Sequence, residues 1–416
     1  MKDMESARKE IDSLDKELVN IFEKRMKLCA EIAEYKSKNE IPVYDASREA
    51  AVIEKSSVIG NESIRRYCAE FLKNNMELSK RYQCELLDFP IPPVMIKSGG
   101  INELGSFFDL ERKTLVVTDS GVPQKYLDNV VSQCENAFTL VLPQGEKSKS
   151  LESFELICKE LLENKFGRDD CVIALGGGMV GDLSGFAAAS YMRGIDFYNI
   201  PTTVLAQTDA SIGGKTAIDF CGIKNSVGAF YPAKAVLIDT KLLETLPRRH
   251  FVNGLAEAVK VAALLDTKLF EIFENGNVHE NIDEIITRSV IAKQKVVSAD
   301  EHENGIRRVL NFGHTIGHAV ESASGLLHGE SVAIGMLPMC EKEAARRIEY
   351  VLKKLGLPTE WNGNPNELLP IIEHDKKSAG DKINTVICDG IGKYHFELLS
   401  PEEIIGRMKK GDTKNE

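Results

Sequence analysis

Cys171-Val172-Ile173-Ala174-Leu175-Gly176-Gly177-Gly178-Met179-Val180-Gly181-Asp182 opens with five apolar residues and continues into four glycines within six positions. An apolar run of that length, stopped by glycine, reads as a strand buried on both faces. Leu183-Ser184-Gly185-Phe186 beyond it reads as helix. Gly176, Gly178 and Gly181 then satisfy G-x-G-x-x-G between a strand and a helix, the context that gives the pattern meaning. Glycine lets the backbone come close to a pyrophosphate, and the helix N-terminus turns N–H donors toward it. An ordinary tight strand-to-helix turn carries the same letters, so the pattern alone leaves the nucleotide open. Its surroundings add chemistry. Gly145-Glu146-Lys147-Ser148-Lys149 upstream, and Pro201-Thr202-Thr203, Asp209 to Lys215 and Gly222-Ile223-Lys224-Asn225 downstream, set hydroxyls, carboxylates and lysines on glycine-rich loops. Such loops can bend round an anionic ligand.

At 416 residues the chain is too long for one ordinary domain. Pro90, Pro92 and Pro93 fall within four residues, and none can sit inside a helix. Before them the chain reads as helix; after them β-branched runs alternate with helical stretches; beyond Leu246-Pro247 helical spacing returns, apart from a strand-like Thr385-Val386-Ile387-Cys388. A multidomain fold is expected: an all-α domain over 1–88, a Rossmann-like α/β nucleotide-binding domain over 89–246, and a mainly helical metal-binding domain over 247–416. The hydrophobic share of 43% and charged share of 28% suit soluble globular domains. No uncharged apolar run approaches the roughly 18 residues of a membrane span, and Met1-Lys2-Asp3-Met4 does not begin a signal peptide. Nine cysteines without a C-x-x-C pattern read as reduced thiols, hence a cytoplasmic setting. A net charge of −11 argues against a nucleic-acid surface. Only −2 of it falls in residues 1–88.

Ile11, Leu14, Leu18, Ile21, Leu28 and Ile32 follow alternating steps of three and four, a packed seam along one long helix. Arg25 takes the step between Ile21 and Leu28. An arginine there is costly unless it meets an anion, snorkels, or pairs within the bundle. At 1.5 Å per residue, Arg25 lies roughly 16 Å from Lys36 and roughly 25 Å from Arg8. Arg25 and Lys36 can therefore share one small anion. Arg8 can join them only from a second subunit.

His314, His318 and His328 fall within fifteen residues, and Glu257 lies upstream on a helical stretch. Two histidines and a carboxylate with an open fourth position make a catalytic zinc set. Spacing alone pairs His314 with His318, which are i, i+4 on one helical face. Hydrogen-bonded core histidines are the plain alternative.

With these residues in place, two resemblances enter. Residues 1–85 resemble the all-helical chorismate mutases through Arg8, Arg25 and Lys36, then Asp45, Arg48 and Glu49. The resemblance implies an intertwined homodimer that clamps chorismate, a dianion, in its reactive conformer and steers its rearrangement to prephenate. Arg8 from a second copy, Arg25 and Arg48 would hold carboxylates, Lys36 would face the ether oxygen and Glu49 a hydroxyl. An ungapped alignment puts Ser79 where the family offers Gln or Glu to that oxygen. Asn75 lies a turn earlier and Gln83 a turn later, so the role is either shifted or lost. In the latter case the domain would be a non-catalytic sensing or dimerising module.

Residues from about 90 to 400 resemble 3-dehydroquinate synthase in consecutive motifs, which include 145–149, 176–182, 191–194, 201–215, 222–230, 253–260, 305–318, 326–330 and 374–377. The family converts 3-deoxy-D-arabino-heptulosonate 7-phosphate to 3-dehydroquinate and phosphate, using NAD+ that is regenerated and a divalent metal, Zn2+ or Co2+. The resemblance implies Glu257, His314 and His328 as metal ligands, with His318 turned to substrate or phosphate instead. Asp119, Gln144, Gly145, Glu146, Lys147, Lys149, Gly178, Gly181, Asp182, Thr202 and Thr203 would line NAD+, and Lys215 and Lys224 would lie where nicotinamide and substrate meet. Arg193, Asp209, Asn225, Lys260, Lys293, Arg307, Asn311, His318, Lys376 and Lys377 would hold the anionic substrate. The runner-up reading is a metal-dependent polyol dehydrogenase of related fold, which would need a compact, uncharged pocket.

Overall fold

The computed structural model describes residues 3–38, 61–87, 93–300, 303, 305–376 and 382–412, with only the backbone described at 37, 374–376 and 410–412. Asp45, Arg48, Glu49 and Lys377 lie outside the described residues, as does the Lys376 side chain. The chain forms two compact units, Met1–Pro92 and Pro93–Glu416.

The first unit contains α1, Met4–Lys38, and α2, Arg65–Leu86. No glycine or proline interrupts α1; Glu5 in its first turn and Lys36 and Lys38 in its last complement the helix dipole. At 35 residues it is about 52 Å long. Cys29 and Ala33 of α1 are buried, as are Asn75, Ser79, Gln83 and Cys84 of α2. The seam departs from expectation. Ile11, Leu14, Leu18, Ile21, Leu28 and Ile32 are each 48–62% exposed in the single chain. They lie on a different face from Cys29 and Ala33, so the period was legible but its cover is not in this chain's described residues.

The second unit is built on a six-stranded parallel sheet: β1 Val94–Ile96, β2 Lys113–Asp119, β3 Asn136–Leu142, β4 Cys171–Gly176, β5 Asp196–Pro201 and, after a hairpin, β8 Ala235–Ile238. Every residue of β4 is buried, as expected of a strand covered on both faces. Alternate residues enter two cores: Leu115, Val117, Val172 and Ala174 face one, Val116, Ile173 and Leu175 the other. The strand order is β1-β8-β5-β4-β2-β3. The chain leaves β2 for β3 on one side and returns to β4 on the other. The switch point therefore lies between the C-terminal ends of β2 and β4, where open α/β sheets bind ligands. Helices α3 Gln124–Ser132, α4 Leu151–Glu163 and α5 Gly178–Ser190 accompany the sheet, and α5 starts from the glycine turn.

The lysine-bearing segment expected as loops is a hairpin, β6 Lys215–Phe220 and β7 Ile223–Phe230. Its two-residue turn, Cys221-Gly222, has positive φ at both positions, as tight hairpins require. The helical part comprises α6 Arg248–Leu265, α7 Thr267–Asn275, α8 Ile282–Ala299, α9 His314–Ser324, α10 His328–Met336, α11 Lys342–Leu355, α12 Leu369–Lys376 and α13 Pro401–Asp412. The Thr385 strand pairs with a second that the sequence reading missed: β9 Ile383–Gly390 runs antiparallel to β10 Lys393–Leu399. Polar residues and exposure along β10 hide its period. Helices α9 and α10 come close because Gly335 has no side chain; a Cβ there would sit 2.1 Å from the Gly313 carbonyl oxygen. That approach sets the distance between their histidines. No helix among the described residues is long and apolar enough to cross a membrane.

Candidate functional site

Three helices bring the metal candidates together. His314 opens α9, His318 follows one turn later, His328 opens α10, and Glu257 sits mid-way along α6. Possible ligand atoms of the three histidines lie within 4.8 Å of one another. Glu257 Oε1 is 3.7 Å from His314 Nε2 and 3.5 Å from His328 Nε2. Both the i, i+4 histidine pair and the Glu257-His314-His328 set therefore converge on one place.

Glu257 is 1% exposed, and neither of its oxygens has a hydrogen-bond partner, although Lys260 makes an ion-pair contact with Oε2. Burial alone would raise its carboxyl; Lys260, His314 and His328 outweigh burial and hold it well below the usual carboxylate range. Burial first, then Lys260, push His314 down to about 3, so this imidazole is neutral. Burial opposes charge on His328, but Glu257 and Glu321 raise it to about 9. The His314 Nδ1 atom is 3.1 Å from the Phe312 carbonyl oxygen, which only accepts, so its lone pair is left on Nε2. Imidazole nitrogens beside an ionised carboxylate match the donor set of Zn2+ or Co2+. A cation there would meet Oε1, the oxygen that faces both histidines, while Oε2 keeps its contact with Lys260.

Cations and hydrogen-bonding groups surround this centre. Asp209 sits in a widened turn, Ala206–Ala210, and accepts from Lys293 Nζ on α8 at 2.6 Å. Burial works to raise Asp209, but Lys293 and Lys260 lower it; burial also lowers Lys293. Arg307 is 3% exposed and donates to the Gly213 carbonyl. Lys215 pairs with Glu303, which also accepts from Asn311 Nδ2 at 2.7 Å. Glu303 was missed. Its lysine partner is 88 residues away, and nothing local in the sequence marks it.

At the C-terminal ends of β2 and β3, on the far side of β2 from β4, a cleft of about 410 Å³ is lined by Thr118 to Gln124 with Leu127 and Val141. Asp119 ends β2 there and accepts from the Gly121 N–H at 2.7 Å. Gln144 donates its own N–H to Ser120 Oγ, and Gly145, Glu146 and Lys147 follow in a short turn. Lys149 is buried between Asp182 Oδ2, at 2.6 Å, and Asn225 Oδ1. Gly178 and Gly181 lie in the first turn of α5, and Thr202 donates its N–H to the Gly176 carbonyl, with Thr203 beside Gly177. Lys224 on β7 donates to Glu321 on α9. Arg193 is not part of this gathering. It lies in the turn before β5, at the end of the sheet opposite Gly176 and Pro201, with φ of 69°.

In the first unit, half-buried Arg25 donates to Ser79 Oγ and to the Asn75 carbonyl. Burial pushes the Cys84 thiol up to about 11 while Lys80 and Lys36 pull against it, which places Lys36 near the same face. Arg8 is exposed. Ser79 is already engaged: it accepts from Arg25 and donates to the Asn75 carbonyl at 2.7 Å. Gln83 differs. It is 7% exposed, and its Oε1 has no partner. The free polar group on α2 is thus Gln83, one turn beyond the ungapped position.

Comparison with known proteins agrees with this division. Residues 7–84 match the model of chorismate mutase type II, residues 139–253 that of 3-dehydroquinate synthase N-terminal, and residues 254–378 that of 3-dehydroquinate synthase C-terminal. The 3-dehydroquinate synthase of Thermoanaerobacter sp. (strain X514) is 41% identical over 321 residues, covering 71% of this chain and 90% of that protein. The enzyme of the same name from Latilactobacillus sakei subsp. sakei (strain 23K) is 44% identical over 314 residues, covering 72% and 88%. Among solved structures, 2-epi-5-epi-valiolone synthase from Streptomyces hygroscopicus subsp. jinggangensis 5008, with NAD+ and Zn2+ bound, has a TM-score of 0.70 at 26% identity, covering 77% of this chain and 97% of that one. A probable glycerol dehydrogenase from Sinorhizobium meliloti 1021 shares the fold alone, with a TM-score of 0.52 at 16% identity. The chain belongs to the 3-dehydroquinate synthase family and carries a chorismate mutase type II domain ahead of its synthase portion.

Proposed function

We propose that this is a bifunctional enzyme of aromatic biosynthesis. Its second unit converts 3-deoxy-D-arabino-heptulosonate 7-phosphate to 3-dehydroquinate and phosphate, and its first rearranges chorismate to prephenate. The observation that carries the synthase reading is the buried Glu257, whose Oε1 faces His314 and His328 while Oε2 pairs with Lys260, set near Lys293 and Arg307. When bound, NAD+ supplies a hydride acceptor returned within the same turnover, and a divalent cation held by Glu257, His314 and His328 supplies Lewis acidity toward the substrate hydroxyls.

The chain's own residues do the rest. Lys293 and Arg307 offer positive charge to the substrate carboxylate and phosphate, and their burial strengthens each contact. Asp209, fixed by Lys293, orients a hydroxyl. Lys260 keeps Glu257 ionised. Glu303 holds Lys215 and Asn311 in place across the mouth of the site, and His318 faces the leaving phosphate. Lys149 braces Asp182 and Asn225, while Asp119, Gln144 to Lys147, Gly178, Gly181, Thr202 and Thr203 line the dinucleotide from the β2 and β4 ends.

In the first unit Arg25 and Lys36 clamp the dianion, and Gln83 faces the ether oxygen with its donor Nε2, which in this structure gives a hydrogen bond to the Ser79 carbonyl. The α1 seam, which no described residue of this chain covers, supports a homodimer, in which Arg8 comes from a second copy. Leu18→Glu would place a charge on that seam at a cost of about 2 kcal/mol or more, so chorismate turnover should fall at least about thirtyfold. Phosphate release by the same chain should be unchanged; steady-state rates of both reactions check this. The unpaired cysteines support a reducing, cytosolic setting.

The function is tested by giving the purified full chain each substrate separately and identifying products by NMR. Prephenate from chorismate, and 3-dehydroquinate with phosphate from the heptulosonate phosphate, are expected. A chain that binds prephenate yet leaves chorismate intact would instead make the first unit a sensor.

A further inference from the structure

A single carboxylate joins the nucleotide edge of the synthase site to its histidine cluster. Lys224 Nζ, on β7, donates to Glu321 Oε1 at 2.5 Å, and Glu321 Oε2 lies 3.1 Å from His328 Nδ1. Glu321 belongs to α9, seven residues and about two turns beyond His314, so it shares that helix face. Its side chain is 14% exposed, whereas that of Lys224 is 51% exposed. Paired with Lys224, the Glu321 carboxylate only accepts, so the proton it shares with His328 resides on Nδ1. That leaves Nε2, the atom that faces Glu257 Oε1 at 3.5 Å, as the nitrogen that would give its lone pair to a cation once its own proton is displaced.

We propose that Glu321 is the positioning residue of this centre: one oxygen fixes the His328 ring with Nε2 toward Glu257 and His314, and the other holds Lys224 of the β6–β7 hairpin to the same ring. The inference rests on reading Glu257, His314 and His328 as ligands of a divalent cation. Glu321 is not one of those three ligands; its side chain meets Lys224 and His328. It acts through His328, as carboxylates behind metal-binding histidines do generally. The lysine adds a tie between a strand hairpin that borders the dinucleotide and a helix that carries two of the histidines.

Glu321→Gln keeps the shape but removes the charge, and a single amide oxygen then has to serve both donors. Zn2+ affinity of the full chain, measured by competition with a chromophoric chelator, should fall by about 10- to 100-fold. The visible spectrum of the Co2+-loaded chain should shift, and the thermal midpoint of the metal-free chain should stay close to that of the wild type. Glu321→Asp, which keeps the charge with a shorter reach, should recover part of the affinity. Unchanged Zn2+ affinity and an unchanged Co2+ spectrum in Glu321→Gln would overturn the proposal. So would a loss of affinity matched by an equal loss of metal-free stability. A wild-type chain that takes up neither Zn2+ nor Co2+ would instead overturn the metal-site reading on which the proposal rests.

Discussion

Chelation of the divalent cation lowers phosphate release more than about a thousandfold, equivalent to about 4 kcal/mol of lost barrier reduction, while chorismate rearrangement keeps its rate. The expectation follows from the two units' separate chemistries. Glu257 is a buried carboxylate whose Oε2 pairs with Lys260 and whose Oε1 faces two imidazole nitrogens at 3.5 and 3.7 Å. Such an arrangement has little use without a cation. Among the described residues, the histidine cluster is the one group of three or more that could hold a metal ion. The first unit gathers Arg25, Ser79, Asn75 and Gln83, which are suited to an organic dianion and not to a metal. Zn2+ or Co2+ should restore phosphate release to the chelated wild type. Glu257→Gln should show the same loss without restoration, because the amide carries no charge to hold the ion. Parallel loss of both activities on chelation would contradict the two-site account.

Arg25→Met lowers chorismate turnover by roughly a hundredfold or more, since hydrogen bonds to charged groups contribute about 1.5–3 kcal/mol each and a guanidinium makes two to a carboxylate. Arg25 is held in advance by Ser79 and the Asn75 carbonyl, so little side-chain freedom is lost when the substrate arrives. The same face separates two assignments. Gln83→Ala should cost about tenfold in turnover, and Ser79→Ala only about threefold or less, because Ser79 acts by bracing Arg25, whereas Gln83 Nε2 is an amide donor able to turn from the Ser79 carbonyl to the ether oxygen. A larger loss from Ser79→Ala would return the role to the ungapped position. Rates with chorismate, alongside unchanged phosphate release as the control for folding, decide between them.

The strand and helix around Gly176 were legible because a continuous apolar run and glycine punctuation leave few alternatives. The His314–His318 pair was legible from helical spacing, and Glu257 from the resemblance. Other features depend on partners far along the chain. Glu303 meets Lys215 across 88 residues and Glu321 meets Lys224 across 97, and neither acid stands out among neighbouring charges. The β6–β7 hairpin looked like loops because Gly213, Gly214 and Gly222 dominate its composition, although they mark its approach and turn. The α1 seam shows the opposite limit. Its period is plain, but the period does not say what covers it, and no described residue of this chain does. Bulk charge was equally partial: a net of −11 argues against a nucleic-acid surface, yet both proposed substrates are anions, met by clustered cations that the net charge hides.

The central claim is that NAD+ is borrowed and returned during phosphate elimination. It is tested by turning over the heptulosonate phosphate with NAD+ far below the substrate concentration, following phosphate and nicotinamide absorbance together. The account predicts phosphate equal to the substrate consumed, over many turnovers per NAD+, with no NADH accumulating. NADH rising in step with substrate loss, or rising with glycerol while no phosphate appears, would contradict it and place the chain with the polyol dehydrogenases.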